Sequence, residues 1–225
     1  MKRKNVGSVD LAAMREEYVS TGLNIASVPR APLPLWNDWL ADAVAAKLPE
    51  PNAMVVSTVT RPTMVGQPAQ PSSRIVLCKS ATVKGFDFYT NYRSRKSEEI
   101  KSSGTVAATF PWIALQRQVN IVGSVEQVSS HDSDTYWASR QRGSKLGAWA
   151  SSQSSKIDTY EELEERCRHF GNMYPGDVPR PPHWGGWRIV PTTIEFWQGR
   201  PNRLHDRIMY ERKNSGQWSI GRLSP

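Results

Sequence analysis

Cysteine is scarce: Cys78 and Cys167 are the two in 225 residues, too few and too far apart for a disulfide framework or a thiolate metal site, which fits a reducing cytoplasm. Long apolar runs are missing as well. No stretch approaches the roughly 18 to 20 apolar residues of a membrane span. In the basic start MKRKNVGSVDLAAMREEY, the charges of Asp10, Arg15, Glu16 and Glu17 break up any signal-peptide core. A cytoplasmic protein without a membrane partner is expected. The sequence contains neither G-x-G-x-x-G nor G-x-x-x-x-G-K, which excludes the Rossmann and Walker phosphate loops. Its four histidines, at 131, 169, 183 and 205, have no metal-ligand spacing, and no G-x-S-x-G elbow occurs. Zinc and serine-hydrolase chemistry fall away, and no metal is expected.

What is present is a globular composition, 38% apolar and 22% charged, with nine tryptophans and a net charge of +8. That charge suits an anionic partner: nucleic acid, an acidic membrane surface or a phosphorylated small molecule. Residues 1–30 read as an arm with one helix near 9–19 and a proline-rich end, PRAPLP; residues 31–225 read as one domain. In LWNDWLADAVAAKL, Leu35, Trp36, Trp39, Leu40, Ala43 and Val44 recur at helical spacing before Pro49. Runs rich in β-branched and aromatic residues predict strands over 53–59, 73–79, 86–91, 105–112 and 116–128. In the last of these, Val119, Ile121 and Val125 share one face and Gln118, Asn120 and Ser124 the other. The connection at 60–72, with three prolines, predicts an exposed loop. Helices are predicted over 130–140 and 159–170, the second with a capping box between Thr159 and Glu162 and a buried stripe of Leu163, Cys167 and Phe170. Four strand-like pieces, WRIV, IEFWQ, DRIMYER and QWSIGRL, close the chain. Closely spaced strands with a few helices between them predict an antiparallel barrel of the α+β class.

Three basic clusters stand out. In NYRSRKSEEI, Ser94 can cap a helix whose first turn holds Arg95 and Lys96; cations there oppose the helix dipole and make sense chiefly where a phosphate docks. In SRIVLCK, Arg74 and Lys79 bracket an apolar strand. In YWASRQRGSKLGAWASSQS, Tyr136 and Arg140 lie one helical turn apart and Ser144 follows, a set able to form a phosphate cup. Each cluster alone also fits a solvated surface. The segment WQGRPNRLHDR, 197–207, adds three arginines, a histidine and a tryptophan that continues the apolar alternation of Ile194 and Phe196. Trp149, Trp184 and Trp187 read as packing residues, and His131, His169 and His183 as structural.

In order and spacing, SRIVLCK, FYTNYRSRKSEEI, QRQVNIVGSVE, SRQRGSKLGAWASSQS, HWGGWRIVP, IEFWQGRPNRLHDR and the terminal RLSP resemble the pyridoxamine 5'-phosphate oxidases, over residues 35 to 225 and more weakly at MREEY. The resemblance implies an FMN-binding split β-barrel with Greek-key-like antiparallel strands and flanking helices. It also implies a homodimer with FMN at the interface, and oxidation of pyridoxamine or pyridoxine 5'-phosphate to pyridoxal 5'-phosphate with oxygen reduced to hydrogen peroxide. By resemblance, Arg74, Ile75, Val76, Leu77, Cys78, Lys79, Tyr89, Thr90, Arg95 and Lys96 contact FMN, as do Gln118, Gln153, Ser154, Trp197 and Arg207, some of them given by the second subunit. Lys79, Tyr136, Arg140 and Ser144 would hold the substrate phosphate. Arg203 and His205 would lie over the substrate ring as the catalytic pair, with Arg15 and Tyr18 of the arm closing the site. Arg207 would support negative charge on the reduced flavin. For His205, orienting the substrate is favoured over exchanging a proton.

Other readings are a related flavin oxidase of the phenazine-pathway kind, a non-catalytic carrier of flavin or pyridoxal phosphate, and a nucleic-acid module. The intact phosphate residues argue against the first, and Arg203 and His205 against the second. The third explains the charge but not the motifs. An ion pair of Arg203 or Arg207 with Asp206 or another acid is the plainer alternative for those arginines. Two departures from the family pattern are the longer 60–72 loop and Cys78, which stands where an aliphatic residue is common and implies some sensitivity to oxidation.

Overall fold

A computed structural model of the chain describes residues 10, 14, 17–20, 22–61 and 66–225. The helix expected near 9–19 falls largely outside these residues, and the described ones within it are not helical. Helix α1 (Pro32–Ala45) starts ahead of the expected Leu35, because Pro32 suits a first turn whose amides have no helical partner anyway. It buries Leu35, Trp36, Trp39 and Ala43, whereas Val44, expected on the same face, is exposed. Trp36 sits edge-on to Phe86 and Phe110 at 5.3 and 5.4 Å, and Trp39 to Phe196 at 5.2 Å. These contacts fix the helix over one end of the sheet.

The strands among the described residues are β1 (Ala53–Val59), β2 (Pro71–Leu77), β3 (Ser80–Thr82), β4 (Gly85–Asn91), β5 (Thr105–Trp112), β6 (Arg117–Gln127), β7 (Trp184–Gln198), β8 (Asp206–Arg212) and β9 (Trp218–Leu223). They form one antiparallel sheet in the order β2-β1-β5-β6-β7-β4-β3, with β8 paired to β7 and β9 to β8. In a flat sheet the two ends of that order would lie about 29 Å apart. Only Cys78 and Lys79 separate β2 from β3, a link that reaches about 10 Å. The sheet therefore curls into an open barrel whose seam runs between β2 and the β4–β3 edge. Phe86, Phe88, Phe110, Ile121, Phe196 and Tyr210 fill it.

Strand β7 is the spine of the sheet. The sequence suggests two strands, WRIV and IEFWQ, split at Pro191; the chain instead runs as one strand of 15 residues. On one edge β7 pairs with β4 as far as Ile189 and with β8 from Thr193 onward. Pro191 falls in the gap between those partners, where no ladder bond needs its missing N–H. On the other edge the register with β6 shifts between Val122 and Gly123, so the strand bulges there. Gly123 permits the close approach, since a Cβ on it would lie 2.2 Å from the Val190 carbonyl oxygen.

Helix α2 (Arg95–Ser103) links β4 to β5, and α3 (Ser130–Ala138), α4 (Arg142–Ala150) and α5 (Tyr160–Met173) lie between β6 and β7. The Thr159 hydroxyl caps α5 by accepting the Glu162 N–H at 3.3 Å, as the capping pattern predicts. Its expected buried stripe is only half-buried: Leu163, Cys167 and Phe170 all keep some exposure, so Cys167 is not a core residue. Among the described residues no helix is long and apolar enough to cross a membrane, and no group of three or more His, Cys, Asp or Glu could hold a metal.

Candidate active site

The barrel seam opens into a cavity of about 580 Å³. Strand β2 lines it with Arg74, Ile75, Val76 and Leu77, the turn after it with Lys79, and β4 with Tyr89 and Thr90. The first turn of α2 adds Arg95 and Lys96, the end of α3 and the turn beyond it add Tyr136 and Arg140, and the loop after α4 adds Gln153 and Ser154. Residues 74 to 154 thus meet because the curl brings β2 back beside β4. Cys78 is the exception in this stretch. Its side chain is buried in the core and its thiol lies 3.3 Å from the Ser80 carbonyl oxygen, to which it donates. Burial pushes that thiol up to about 12, so the expected oxidation sensitivity does not follow.

Ser94 occupies the N-cap position of α2 without capping it; its hydroxyl donates to the Asn91 carbonyl at 2.7 Å instead. Arg95 N–H donates to the Ser154 hydroxyl at 3.2 Å, tying the helix start to the 151–154 loop. The Lys96 ammonium is buried and donates to Thr90 Oγ1 (3.1 Å), Ser94 Oγ (3.3 Å) and Gln153 Oε1 (2.9 Å), all neutral. Burial, and then the neighbouring Arg74 charge, lower its pKa to about 8. Arg74 and Arg95 are braced by Glu99, a buried carboxylate at 3.4 and 2.8 Å from them.

Two lining residues, Tyr89 and Tyr136, form an aromatic stack with Trp184, the Tyr89 and Tyr136 centroids lying 4.2 Å apart. Lys79 lies 5.9 Å from the Tyr136 ring and the Arg140 guanidinium 4.7 Å from that of Trp184. Arg140 Nη2 donates to the Ser144 carbonyl at 2.9 Å, but its Nε is buried with no hydrogen-bond partner. Trp36 Nε1, in the core, is the other such atom among the described residues. Ser144 lines an adjoining cavity of about 310 Å³ that shares Tyr89, Thr90, Arg140 and Gln153 with the first.

The remaining predicted residues form a second constellation away from this cavity. Gln118, Trp197 and Arg207 stand side by side in register on β6, β7 and β8. His205 packs 4.6 Å from the Trp197 ring, and Tyr18 of the arm sits edge-on to both. His205 Nδ1 accepts the Arg200 N–H at 3.1 Å, which leaves its proton on Nε2. Burial, then Arg203, lower its pKa, so the ring is neutral at pH 7. Arg203 is exposed, with a left-handed backbone at φ 60°. Arg207 is held by Glu195 at 2.6 and 3.2 Å, so the plainer ion-pair alternative describes its arrangement within this chain. Arg15 lies outside the described residues.

Asp206 locks this constellation together. Its carboxylate accepts the Leu23 N–H at 2.7 Å and pairs with Arg200 and Arg222, joining arm, 199–205 loop and C-terminal strand. Burial alone would raise this carboxyl; the Leu23 amide, Arg222 and Arg200 hold it below the usual carboxylate range. Gly22, at φ +91°, is needed here, since a Cβ would lie 2.7 Å from Asp206 Oδ2.

Sequence reasoning missed Glu99, the pairing of Asp206 with Arg200 and Arg222 in place of Arg203 or Arg207, and the place of Trp184 beside Arg140. The spacing of Arg95 and Glu99, four residues apart on one helix, is a signal for the first. The others depend on contacts between distant segments.

The curled sheet with its flanking helices defines the class, an FMN-binding split β-barrel. It is similar to PhzG from Burkholderia lata 383, solved in complex with tetrahydrophenazine-1-carboxylic acid, with a TM-score of 0.82 and 29% identity over 89% of this chain and 95% of that one. It shares its fold with a pyridoxamine 5'-phosphate oxidase-related, FMN binding protein of Nostoc punctiforme PCC 73102, at TM-score 0.68 and 17% identity over 88% and 99% of the two chains. Within that class, residues 40–174 match the family described as pyridoxamine 5'-phosphate oxidase, and residues 184–225 match the pyridoxine 5'-phosphate oxidase C-terminal dimerisation region. The pyridoxine/pyridoxamine 5'-phosphate oxidases of Cupriavidus pinatubonensis and Burkholderia multivorans are each 48% identical, over 96% of this chain and 99% of theirs. The chain belongs to the pyridoxine/pyridoxamine 5'-phosphate oxidase family.

Proposed function

We propose that the protein oxidises pyridoxamine 5'-phosphate and pyridoxine 5'-phosphate to pyridoxal 5'-phosphate in vitamin B6 metabolism, using FMN and oxygen and releasing hydrogen peroxide. The observation that carries this reading is that two cationic clusters line one cavity: Arg74, Arg95 and Lys96 around the start of α2, and Lys79 and Arg140 beside the aromatic stack. Both clusters fit an anion. The buried Lys96 ammonium has only neutral oxygen partners, and Arg140 Nε has none. A phosphorylated flavin suits the first cluster and a phosphorylated substrate the second.

Bound FMN would supply the two-electron acceptor for the substrate's exocyclic C–H bond and pass the electrons to oxygen. The chain's own task is placement. Lys79, Tyr136, Arg140 and Ser144 hold the substrate phosphate. Arg203 and the neutral Nε2–H of His205 orient the pyridine ring, a role that fits a histidine whose Nδ1 is already engaged. Arg207 sets a fixed positive charge near the flavin, moderated by Glu195.

Among the described residues, neither the seam cavity nor the one adjoining it is lined by Trp197, Arg203, His205 or Arg207, so a second copy brings these four to the seam of the first. The match of residues 184–225 to a dimerisation region supports this arrangement. So do the exposed apolar side chains of Ile75 and Ile113.

A phenazine-type substrate is the second reading, favoured by the likeness to PhzG. The two part on substrate phosphate. With the FMN-loaded protein, pyridoxamine 5'-phosphate should turn over at least about a hundredfold more efficiently than pyridoxamine, and Arg140→Ala should remove most of that difference. Equal turnover of the two amines would instead favour a substrate without phosphate.

A further inference from the structure

We propose that Glu99 is a positioning residue that aims Arg74 and Arg95 at the cofactor phosphate and so makes the site prefer a phosphorylated flavin over an unphosphorylated one. This rests on the flavin reading above. Glu99 does not line the cavity, and its side chain is 2% exposed. Its Oε1 accepts from Arg95 Nε at 2.8 Å, one helical turn away. Its Oε2 accepts from the Ser72 hydroxyl at 2.6 Å and from Thr58, and lies 3.4 Å from Arg74 Nη2. Arg74 is further fixed by donating to the Val56 carbonyl at 3.2 Å.

The carboxylate thus joins β1, β2 and α2 behind the cavity, while both arginines that it holds line it. Burial would raise the Glu99 carboxyl, but hydrogen bonds from Ser72, Thr58 and Arg95 outweigh it and hold the group down at about 2. It is charged throughout the working range.

Removing this charge has two opposed effects. Net positive charge at the site rises, which favours any anion. Against that, two long side chains lose the bonds that orient them, and the Arg74 charge that already bears on Lys96 loses its counter-ion. Orientation should win, because each charge-assisted hydrogen bond that is lost weakens binding by about tenfold or more, whereas the field of one added charge is partly screened by solvent at the open seam.

The test is titration of flavin-free protein with FMN and with riboflavin, followed by flavin fluorescence. In Glu99→Gln, FMN affinity should fall by about tenfold or more while riboflavin affinity changes by less than about twofold. Glu99→Asp, which keeps the charge but shortens the reach, should shift selectivity in the same direction. In an Arg95→Gln background the same Glu99→Gln change should weaken FMN binding clearly less, since the two residues act as a unit. Unchanged or tighter FMN binding would overturn the assignment. So would equal losses for both flavins, which would make Glu99 a support of the fold alone. Failure of the unaltered protein to bind FMN would overturn the flavin reading, and this assignment with it.

Discussion

Lys96 carries its charge where the chain offers only the neutral oxygens of Thr90, Ser94 and Gln153. With burial and Arg74 lowering its pKa to about 8, the ammonium is charged below that pH and loses its proton as pH rises through it. A phosphate that needs the charged form therefore binds less well on the alkaline side. FMN affinity of the flavin-free protein should fall about tenfold from pH 7 to pH 9, and Lys96→Arg should flatten the profile. A flat profile in the unaltered protein would remove Lys96 from the phosphate site. The residue types at this end of the cavity were legible in the sequence because cations in the first turn of a helix need a reason. Glu99 was not legible, since an acid on a charged helix reads as solvated until the fold turns it inward.

Register and curvature belong to the strands. Gly123→Ala would drive a Cβ against the Val190 carbonyl at the bulge where β7 exchanges partners, and should cost about 2 kcal/mol or more in urea unfolding. A change below about 0.5 kcal/mol would mean that the bulge relaxes freely. Richness in β-branched and aromatic residues located β1 and β5 to the residue, and in the fold their buried faces alternate cleanly. The continuity of β7 through Pro191 was not legible, as it depends on where β4 ends and β8 begins. Helix α4 was missed for a similar reason. Its Gly143 and Gly147 each weaken an isolated helix by about 1 kcal/mol, and it is held from outside by Arg142, which donates to the Gly171 and Tyr174 carbonyls at the end of α5.

For the whole molecule, each active site in the proposed arrangement is the joint property of two chains, one giving the seam and the other the Trp197–His205 constellation. Arg140→Ala and Arg203→Ala, each strongly impaired alone with pyridoxamine 5'-phosphate, should then recover about a quarter of the unaltered activity when mixed under conditions of subunit exchange, since half the dimers would carry one intact site. No recovery after exchange would place both residues in a site built by one chain. The family was legible because its motifs keep their order along the chain, whereas which of the predicted residues line the seam and which stand apart became visible only with the curled sheet. The most direct test of the oxidase reading is an aerobic assay of the FMN-loaded protein with pyridoxamine 5'-phosphate, following pyridoxal 5'-phosphate and hydrogen peroxide together. Equal amounts of both, abolished in Arg203→Ala, are predicted; FMN binding with neither product formed from pyridoxamine or pyridoxine 5'-phosphate would contradict it.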